Sequence, residues 1–137
     1  MESILTSIKK MLGIDETYGH FDADIIFHIN SALMTLTQLG VGPKDGFFVA
    51  TDEQTWEDYL GESKKLEAVK SYIYLRVKML FDPPANSTLV EAMKQQITEF
   101  EWRLNVQAES TESTESTEST GTEVQSYAAR YYNNRRR

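Results

Sequence analysis

The chain has 137 residues, a formal net charge of −7 and no cysteine. This length suits a single domain with a packed core. The absence of cysteine from the sequence excludes disulfide bonds, thiolate metal sites and a cysteine nucleophile. No apolar run is long enough to span a membrane, and the acidic balance argues against general nucleic-acid binding.

Charge is distributed unevenly along the chain. Residues 1–108 carry 16 acids and 10 Lys/Arg, residues 109–123 carry five Glu and no base, and residues 124–137 carry four Arg and no acid. We therefore divide the chain into a helical body (1–108), an acidic Glu-Ser-Thr tether (109–123) and a Tyr/Arg-rich C-terminal binding segment (124–137).

Two amphipathic helices are predicted at the start of the body. The first spans about 2–12 and ends at Gly13. The second spans about 22–39, with Asp22 as its N-cap and Gly40 after its end. Their apolar residues recur at helical spacing: Ile4, Leu5, Ile8, Met11 and Leu12, then Ile25, Ile29, Leu33, Leu36 and Leu39.

A long loop is predicted next, because residues 41–50 contain Gly42, Pro43 and Gly46. Residues 47–49 form a short apolar patch within it. The spacing of Thr51 and Gln54 predicts a capping box before a short turn that carries Trp56, Tyr59 and Leu60.

The third helix is predicted over 63–81, ending before the prolines at 83 and 84. It has two apolar faces, one with Leu66, Val69, Ile73, Val77 and Leu80, the other with Tyr72, Leu75 and Met79. A helix that is apolar on two sides is usually central in its bundle or shared with another subunit.

The fourth helix is predicted over 88–105, with Thr88 and Glu91 at capping-box spacing. Its apolar residues are spaced alternately three and four residues apart, which is typical of the seam of a coiled coil: Val90, Met93, Ile97, Phe100 and Leu104. Trp102 lies off this seam. It is a candidate contact for a second surface, and ordinary packing against another helix is the alternative.

The predicted fold is therefore all-α: a small bundle of about four helices with a long loop between helices two and three, plus an extended C-terminal tail. The repeated Glu-Ser-Thr of 109–123 has no apolar face to bury, so we expect it to be disordered on its own. As a coil it would span roughly 20 Å, and fully extended about 50 Å.

Catalytic and metal-binding patterns are absent from the sequence. His20 and His28 lack metal-ligand spacing, and they suit polar surface or capping positions. The acids Asp52, Glu53, Glu57 and Asp58 lack the alternating ligands and central glycine of a calcium loop and suit a helix N-terminus instead. We therefore expect no enzyme activity, no metal and no cofactor.

The segment 124–137 combines aromatic and basic residues, and three interpretations stay open. Its arginines can pair with carboxylates on a protein partner. They can instead contact nucleic-acid phosphates while the tyrosines stack on bases. The third interpretation is a solvated terminus without a partner.

Three stretches together resemble the head–tail connector (adaptor) proteins of long-tailed bacteriophages. They are the helical stretch 69–78, the Phe81-Asp82-Pro83-Pro84 turn and the segment Glu-Phe-Glu-Trp-Arg-Leu at 99–104. The opening stretch 8–14, the helix from Asp22 to Gly40, and Val41-Gly42-Pro43 followed by Phe47 and Trp56 also fit. The resemblance covers about residues 1–108.

The resemblance implies a small all-helical protein that assembles as a homo-oligomeric ring. The ring would dock under the portal protein at the capsid vertex, extend the DNA channel and bind the next neck or tail-completion protein. DNA would pass through the lumen without sequence-specific binding. The protein would be part of the virion, assembled in the bacterial host cytoplasm, with no membrane contact.

By analogy with family C-terminal segments, which reach toward the portal, we expect seven residues of 124–137 to bind it: Tyr127, Arg130, Tyr131, Tyr132, Arg135, Arg136 and Arg137. Trp102 and Arg103 are a second candidate contact, to a neighbouring copy or to the portal. Removing 109–137 should weaken portal attachment and leave the body folded. The acidic body predicts a lumen that repels DNA phosphates.

Two other classes of function stay open. A cytoplasmic helical-bundle interaction module would use the seam of the fourth helix to pair with a partner helix. A nucleic-acid-binding accessory protein would use Arg135 to Arg137, and its binding would fall steeply with salt. Assembly state distinguishes the connector, a closed ring, from the bundle module, a dimer.

Overall fold

The computed structural model describes residues 2–115, which form a small bundle of five helices without a strand and confirm the all-α class. The helices are α1 (Ile4–Met11), α2 (Asp22–Gln38), α3 (Trp56–Leu60), α4 (Leu66–Phe81) and α5 (Ser87–Glu115). The additional helix is α3, which lies in the long connection between α2 and α4 where the sequence predicts only a short turn.

α4 lies at the centre of the bundle and packs against α1, α2 and α5. Its buried side chains occupy two sides of the helix, as predicted. The assignment of Leu80 to a buried face is wrong, since this side chain is 56% exposed. Phe81 turns inward instead and packs edge-on against Phe21 at 5.3 Å, and Leu80 lies about a quarter turn away from it.

A buried lysine connects α1 to the loop that follows it. Lys9 is 2% exposed, and its ammonium donates to the main-chain oxygens of Glu16 and Tyr18 at 3.1 and 2.8 Å. The ammonium also lies 2.8 Å from a carboxylate oxygen of Asp22. Two hydrogen bonds to main-chain oxygens and the opposite charge of the Asp22 carboxylate together offset the cost of burying the ammonium.

The start of α2 differs from the prediction that Asp22 is the N-cap. Asp22 is the first helical residue, and Phe21 occupies the cap position without a side-chain hydrogen bond to the helix. The Asp22 carboxylate pairs with Lys9 instead. The local sequence pattern at the start of α2 is misleading, because the stronger partner of the Asp22 carboxylate is Lys9 of α1.

The start of α5 also differs, because the Thr88–Glu91 capping box does not form. The side chain of Asn86 accepts from the main-chain N–H groups of Thr88 and Leu89 at 2.8 and 3.3 Å. Glu91 pairs with Lys94 on the helix surface. Asn86, directly before the helix, is therefore the cap.

The capping box of α3 lies four residues after the one predicted. Thr55 accepts from the Asp58 N–H, and Asp58 accepts from the Thr55 N–H. The Gln54 side chain accepts from the Thr51 N–H, while the Thr51 hydroxyl accepts from Glu53. The Thr51–Gln54 pair therefore closes a turn before the helix and does not cap it.

The long connection is held to the bundle by specific polar contacts. The Asn30 side chain of α2 donates to the Val49 carbonyl at 2.9 Å and accepts from the Val49 N–H at 2.8 Å. Near the start of the connection, Gly42 has a φ of +83°, and a Cβ there would lie 2.6 Å from the Tyr59 ring. Only glycine fits this position without displacing the ring.

α5 extends ten residues beyond its predicted end at 105. Its second half packs on the end of α2, where the Asn105 side chain donates to the Leu39 carbonyl at 3.2 Å and Ala108 lies close to Gly40. The first seven residues of the predicted tether, 109–115, are therefore helical. Residues 116–137 lie outside the described part of the chain.

Candidate interaction surfaces

The predicted seam of α5 is used within the chain. Met93 is 8% and Leu104 1% exposed, and Ile97 and Phe100 pack against the core. Because α4 covers this side of the helix, the seam is not free to pair with a partner helix. This observation disfavours the bundle module, which needs the seam exposed.

Trp102 and Arg103 lie on the outer side of α5. Trp102 is 42% exposed, so it is not a core residue. Arg103 forms an exposed ion pair with Glu99 one turn earlier, and the two residues line a surface depression with Gln96 and Phe100. Trp102 and Arg103 are therefore both accessible. Their contact with a neighbouring copy or with the portal stays a prediction.

A polar network fixes the orientation of α5 on α4. The Tyr72 hydroxyl donates to the Glu101 carboxylate at 3.0 Å and accepts from the Arg76 guanidinium at 2.9 Å. Arg76 also donates to the Thr35 hydroxyl of α2 at 3.1 Å. Burial, together with the nearby Glu101 carboxylate, raises the pKa of Tyr72 far above its usual value. Glu101 directly precedes Trp102, so the network positions this outer surface.

An apolar stripe was not identified from the sequence. Phe27 and Met34 lie two turns apart on α2 and are 71% and 58% exposed. Ser31 lies between them on α2, and its hydroxyl accepts a hydrogen bond from the Arg76 guanidinium of α4 at 3.4 Å. The exposed Leu80 lies one turn after Arg76 on α4. The i, i+7 spacing of Phe27 and Met34, off the predicted buried stripe, is the signal that identifies them.

The body's net negative charge is concentrated in residues 45–62. We use the name acidic face for the exposed acids of this segment, together with Phe48: Asp45, Asp52, Glu53, Glu57, Asp58 and Glu62. The six acids are all exposed and Phe48 is 65% exposed. No Lys or Arg lies within 45–62, whereas the rest of 1–108 has ten acids and ten bases. The body is therefore neutral apart from this face.

The two histidines contact aromatic rings. His20 lies 4.9 Å from the Phe21 ring and 6.1 Å from the Tyr18 ring, and His28 lies 5.7 Å from the Phe27 ring. Within the described part of the chain, no group of three or more His, Asp or Glu is placed to hold a metal ion. No helix in residues 2–115 is long and apolar enough to cross a membrane.

The seven tail residues predicted to bind the portal lie in 124–137, outside the described residues. The structure shows that α5 carries the chain past the end of α2 as far as Glu115, from where the remaining residues continue.

Comparison with known protein families matches residues 4–111 to a family described as phage connector protein. The match takes in all five helices apart from the last turn of α5. Comparisons with curated proteins and with solved structures find no match.

Proposed function

The chain belongs to the phage connector family, whose members are structural components of the virion, and on this basis we propose that it is a head–tail adaptor. It assembles as a ring under the portal, extends the DNA channel and joins the capsid vertex to the neck. The match over residues 4–111 carries this proposal, because it spans the whole body.

The distribution of exposed apolar side chains supports ring assembly. A ring requires heterologous contacts, in which one face of a copy meets a different face of the next. Phe27 and Met34 lie on the outside of α2, and Trp102 lies on the outside of α5. α2 and α5 both pack on α4, so exposed apolar side chains from two different helices are available for contacts between copies.

The acidic face supports a lumen that lets DNA slide. Carboxylates repel the phosphate backbone, and low-dielectric walls strengthen that field inside a channel. We propose that the acidic face lines or borders the lumen in the ring. A cryo-electron microscopy map of the neck tests this directly, and Lys or Arg lining the channel would overturn it.

Copy number in purified particles tests the adaptor proposal. We would isolate virions and quantify this chain against the portal by mass spectrometry. A ring-like ratio to the portal is expected. Absence from particles that contain portal and tail proteins would refute the adaptor role and favour an interaction protein outside the virion.

Truncation tests the role of the tail in portal attachment. We place the truncation after Glu115, because α5 continues to that residue. We expect the chain without 116–137 to keep its helical circular dichroism and melting temperature. It should bind the portal more weakly, because a tethered second contact adds avidity to a docked body. Unfolding of the truncated chain would refute the division into body and tail.

Salt dependence separates this function from nucleic-acid binding through Arg135 to Arg137. Binding of DNA by the full chain that falls steeply with salt, and is lost on truncation, would support the accessory role. Under the adaptor proposal, the full chain and the truncated chain both bind DNA negligibly at every salt concentration. Truncation then weakens portal binding alone.

A further inference from the structure

We propose that the apolar stripe of one copy, Phe27 and Met34 of α2, packs into the surface depression on α5 of a second copy. This depression is lined by four residues: Gln96, Glu99, Phe100 and Arg103. The inference rests on the proposed function, because it names the contact by which one copy holds the next in the ring.

The stripe carries two of the four most exposed large apolar side chains within residues 2–115, and the other two are Phe48 and Leu80. Phe27 and Phe48 together present roughly 250 Å² to solvent. One partner of a standard protein interface buries about 800 Å², so these two side chains alone supply nearly a third of that area. Exposed apolar groups of this size indicate a contact surface.

Phe48 lies at the edge of the stripe, because its neighbour Val49 is bound to α2. The Asn30 side chain donates to the Val49 carbonyl and accepts from the Val49 N–H. Asn30 lies between Phe27 and Met34 along α2, about 60° around the helix from Phe27. The stripe therefore continues toward the acidic face, and the contact is adjacent to the surface proposed to border the lumen.

The depression opens on the side of α5 that faces away from α2. Glu101 binds Tyr72 of α4, and Asn105 binds the Leu39 carbonyl at the end of α2. Arg103 is two residues from both Glu101 and Asn105, so it lies about 160° around the helix from each of them. A copy cannot fill its own depression with its own stripe, because α5 lies between the two. The depression is therefore available to a different copy.

The size and chemistry of the depression suit the side chains of a protein partner. Its volume is about 260 Å³, below the range of about 300 to 1,000 Å³ for small-molecule sites. The half-buried Phe100 supplies an apolar wall, and Glu99 pairs with Arg103, so the lining has no net charge. Arg103 keeps donors beyond that pair, and the exposed Asp24, one turn before Phe27, offers it a carboxylate.

Contact between stripe and depression joins copies head to tail. The two surfaces differ, so each copy offers one of them to the copy before it and the other to the copy after it. Such heterologous contacts repeat, and they close into a ring when the rotation between copies allows it. Packing of one stripe against another would produce only a dimer and leave both depressions unfilled.

Cross-linking of cysteine variants tests the contact in the full chain. The sequence has no cysteine, so the introduced thiols are the only ones. Met34→Cys places a thiol on the stripe and Gln96→Cys places one at the depression, and both positions are exposed. With a short bismaleimide at high protein concentration, the double variant should give a ladder of dimers, trimers and larger species on a denaturing gel. Each single variant should stay monomeric.

A matched pair of thiols controls for random collision. Lys64→Cys combined with Gln96→Cys keeps the thiol at the depression and moves the other to an exposed position outside the stripe. This pair should give no ladder, and an equal ladder would overturn the proposal. Dimers of the Met34→Cys single variant would show that stripe meets stripe, and absence of a ladder in the double variant would show that a second copy does not cover the stripe. Both results would overturn the proposal.

Sedimentation of variants without added thiols tests the energetic role of the stripe. Phe27→Ala should weaken self-association about thirtyfold, because an aromatic anchor seated in a pocket is typical of an interface hot spot. Tyr18→Ala is the control, since Tyr18 is exposed on the loop between α1 and α2, and it should associate like the wild type. Unchanged melting temperatures in both variants exclude unfolding as the cause. Equal weakening by the two substitutions would contradict the contact.

These experiments use the chain alone, whereas copy number is measured in particles, so the two proposals fail separately. A ladder from a chain that is absent from particles would keep the contact and refute the adaptor role. A ring-like ratio in particles, together with no ladder, would keep the adaptor role and refute this contact.

Discussion

The α2–α4 pair and the connection from 39 to 62 are held in place by different kinds of interaction. α2 and α4 share an apolar interface with many fully buried side chains, among them Leu33 and Ile73. The connection depends on a few individual contacts: the Asn30 amide on Val49, Gly42 against Tyr59 and the Thr55–Asp58 capping box. Apolar burial therefore determines the bundle, whereas specific geometry determines the surface that carries the acids.

The largest effect is expected from a cavity in the α2–α4 interface. Ile73 is fully buried, and Ile73→Ala should lower the free energy of unfolding by about 4 kcal/mol. Urea denaturation followed by circular dichroism measures this. Met34→Ala is the control, since Met34 is 58% exposed, and its effect should stay within about 0.5 kcal/mol. Similar losses in both variants would show that the exposed stripe contributes to the core.

A smaller loss is expected where the connection meets Tyr59. Gly42→Ala combines an unfavourable φ of +83° with a contact of 2.6 Å to the ring, and should cost about 3 kcal/mol. Gly46→Ala is matched, because its φ is +91° but the nearest atom to its Cβ lies at 3.9 Å. It should cost only about 1 kcal/mol from backbone strain. Equal losses of unfolding free energy in the two variants would mean that the Tyr59 ring moves aside without cost.

Loss of the Asn30 amide should affect the connection more than the bundle. Asn30→Ala leaves the N–H and carbonyl of the buried Val49 without their partners and should cost about 2 kcal/mol. Hydrogen exchange is the informative measurement, because faster exchange should be confined to residues near 47–54. Faster exchange throughout α2 and α4 would show that the connection and the bundle unfold together.

The smallest effect distinguishes two buried tyrosines. The Tyr72 hydroxyl makes hydrogen bonds to Glu101 and Arg76, so Tyr72→Phe should cost about 1 kcal/mol at neutral pH. The Tyr59 hydroxyl has no partner within the described residues, so Tyr59→Phe should be close to neutral. Thermal unfolding at pH 7 compares them. A large loss for Tyr59→Phe would reveal a hydrogen bond formed outside residues 2–115.

The same variants have a defined pH dependence. Burial raises the pKa of Tyr59 and Tyr72 well above that of an exposed tyrosine, which is about 10 in an unfolded chain. Their contribution to stability is therefore complete below about pH 10 and decreases as the pH rises further. Each Phe variant should lose less stability than the wild type between neutral and strongly alkaline pH. An unchanged alkaline profile would contradict the burial of the hydroxyl.

Much of the bundle follows from local patterns in the sequence. Helical spacing of apolar residues predicted four of the five helices, and the positive-φ glycines Gly13 and Gly40 lie directly after α1 and α2, where the sequence predicts helix ends. The two apolar faces of the third predicted helix correctly indicated the central position of α4. These features depend on residues within one or two turns of each other, and such spacing is visible in the sequence itself.

Features that depend on distant partners required the tertiary structure. Asp22 pairs with Lys9 and does not cap α2, Leu80 is exposed because Phe81 packs on Phe21, and α5 continues past 105 because Asn105 and Ala108 pack on the end of α2. The sequence shows that 45–62 is rich in acids, but it does not show that these acids and Phe48 are exposed. Local spacing determines which helices form, and long-range packing decides where each helix ends and which surface remains for a partner.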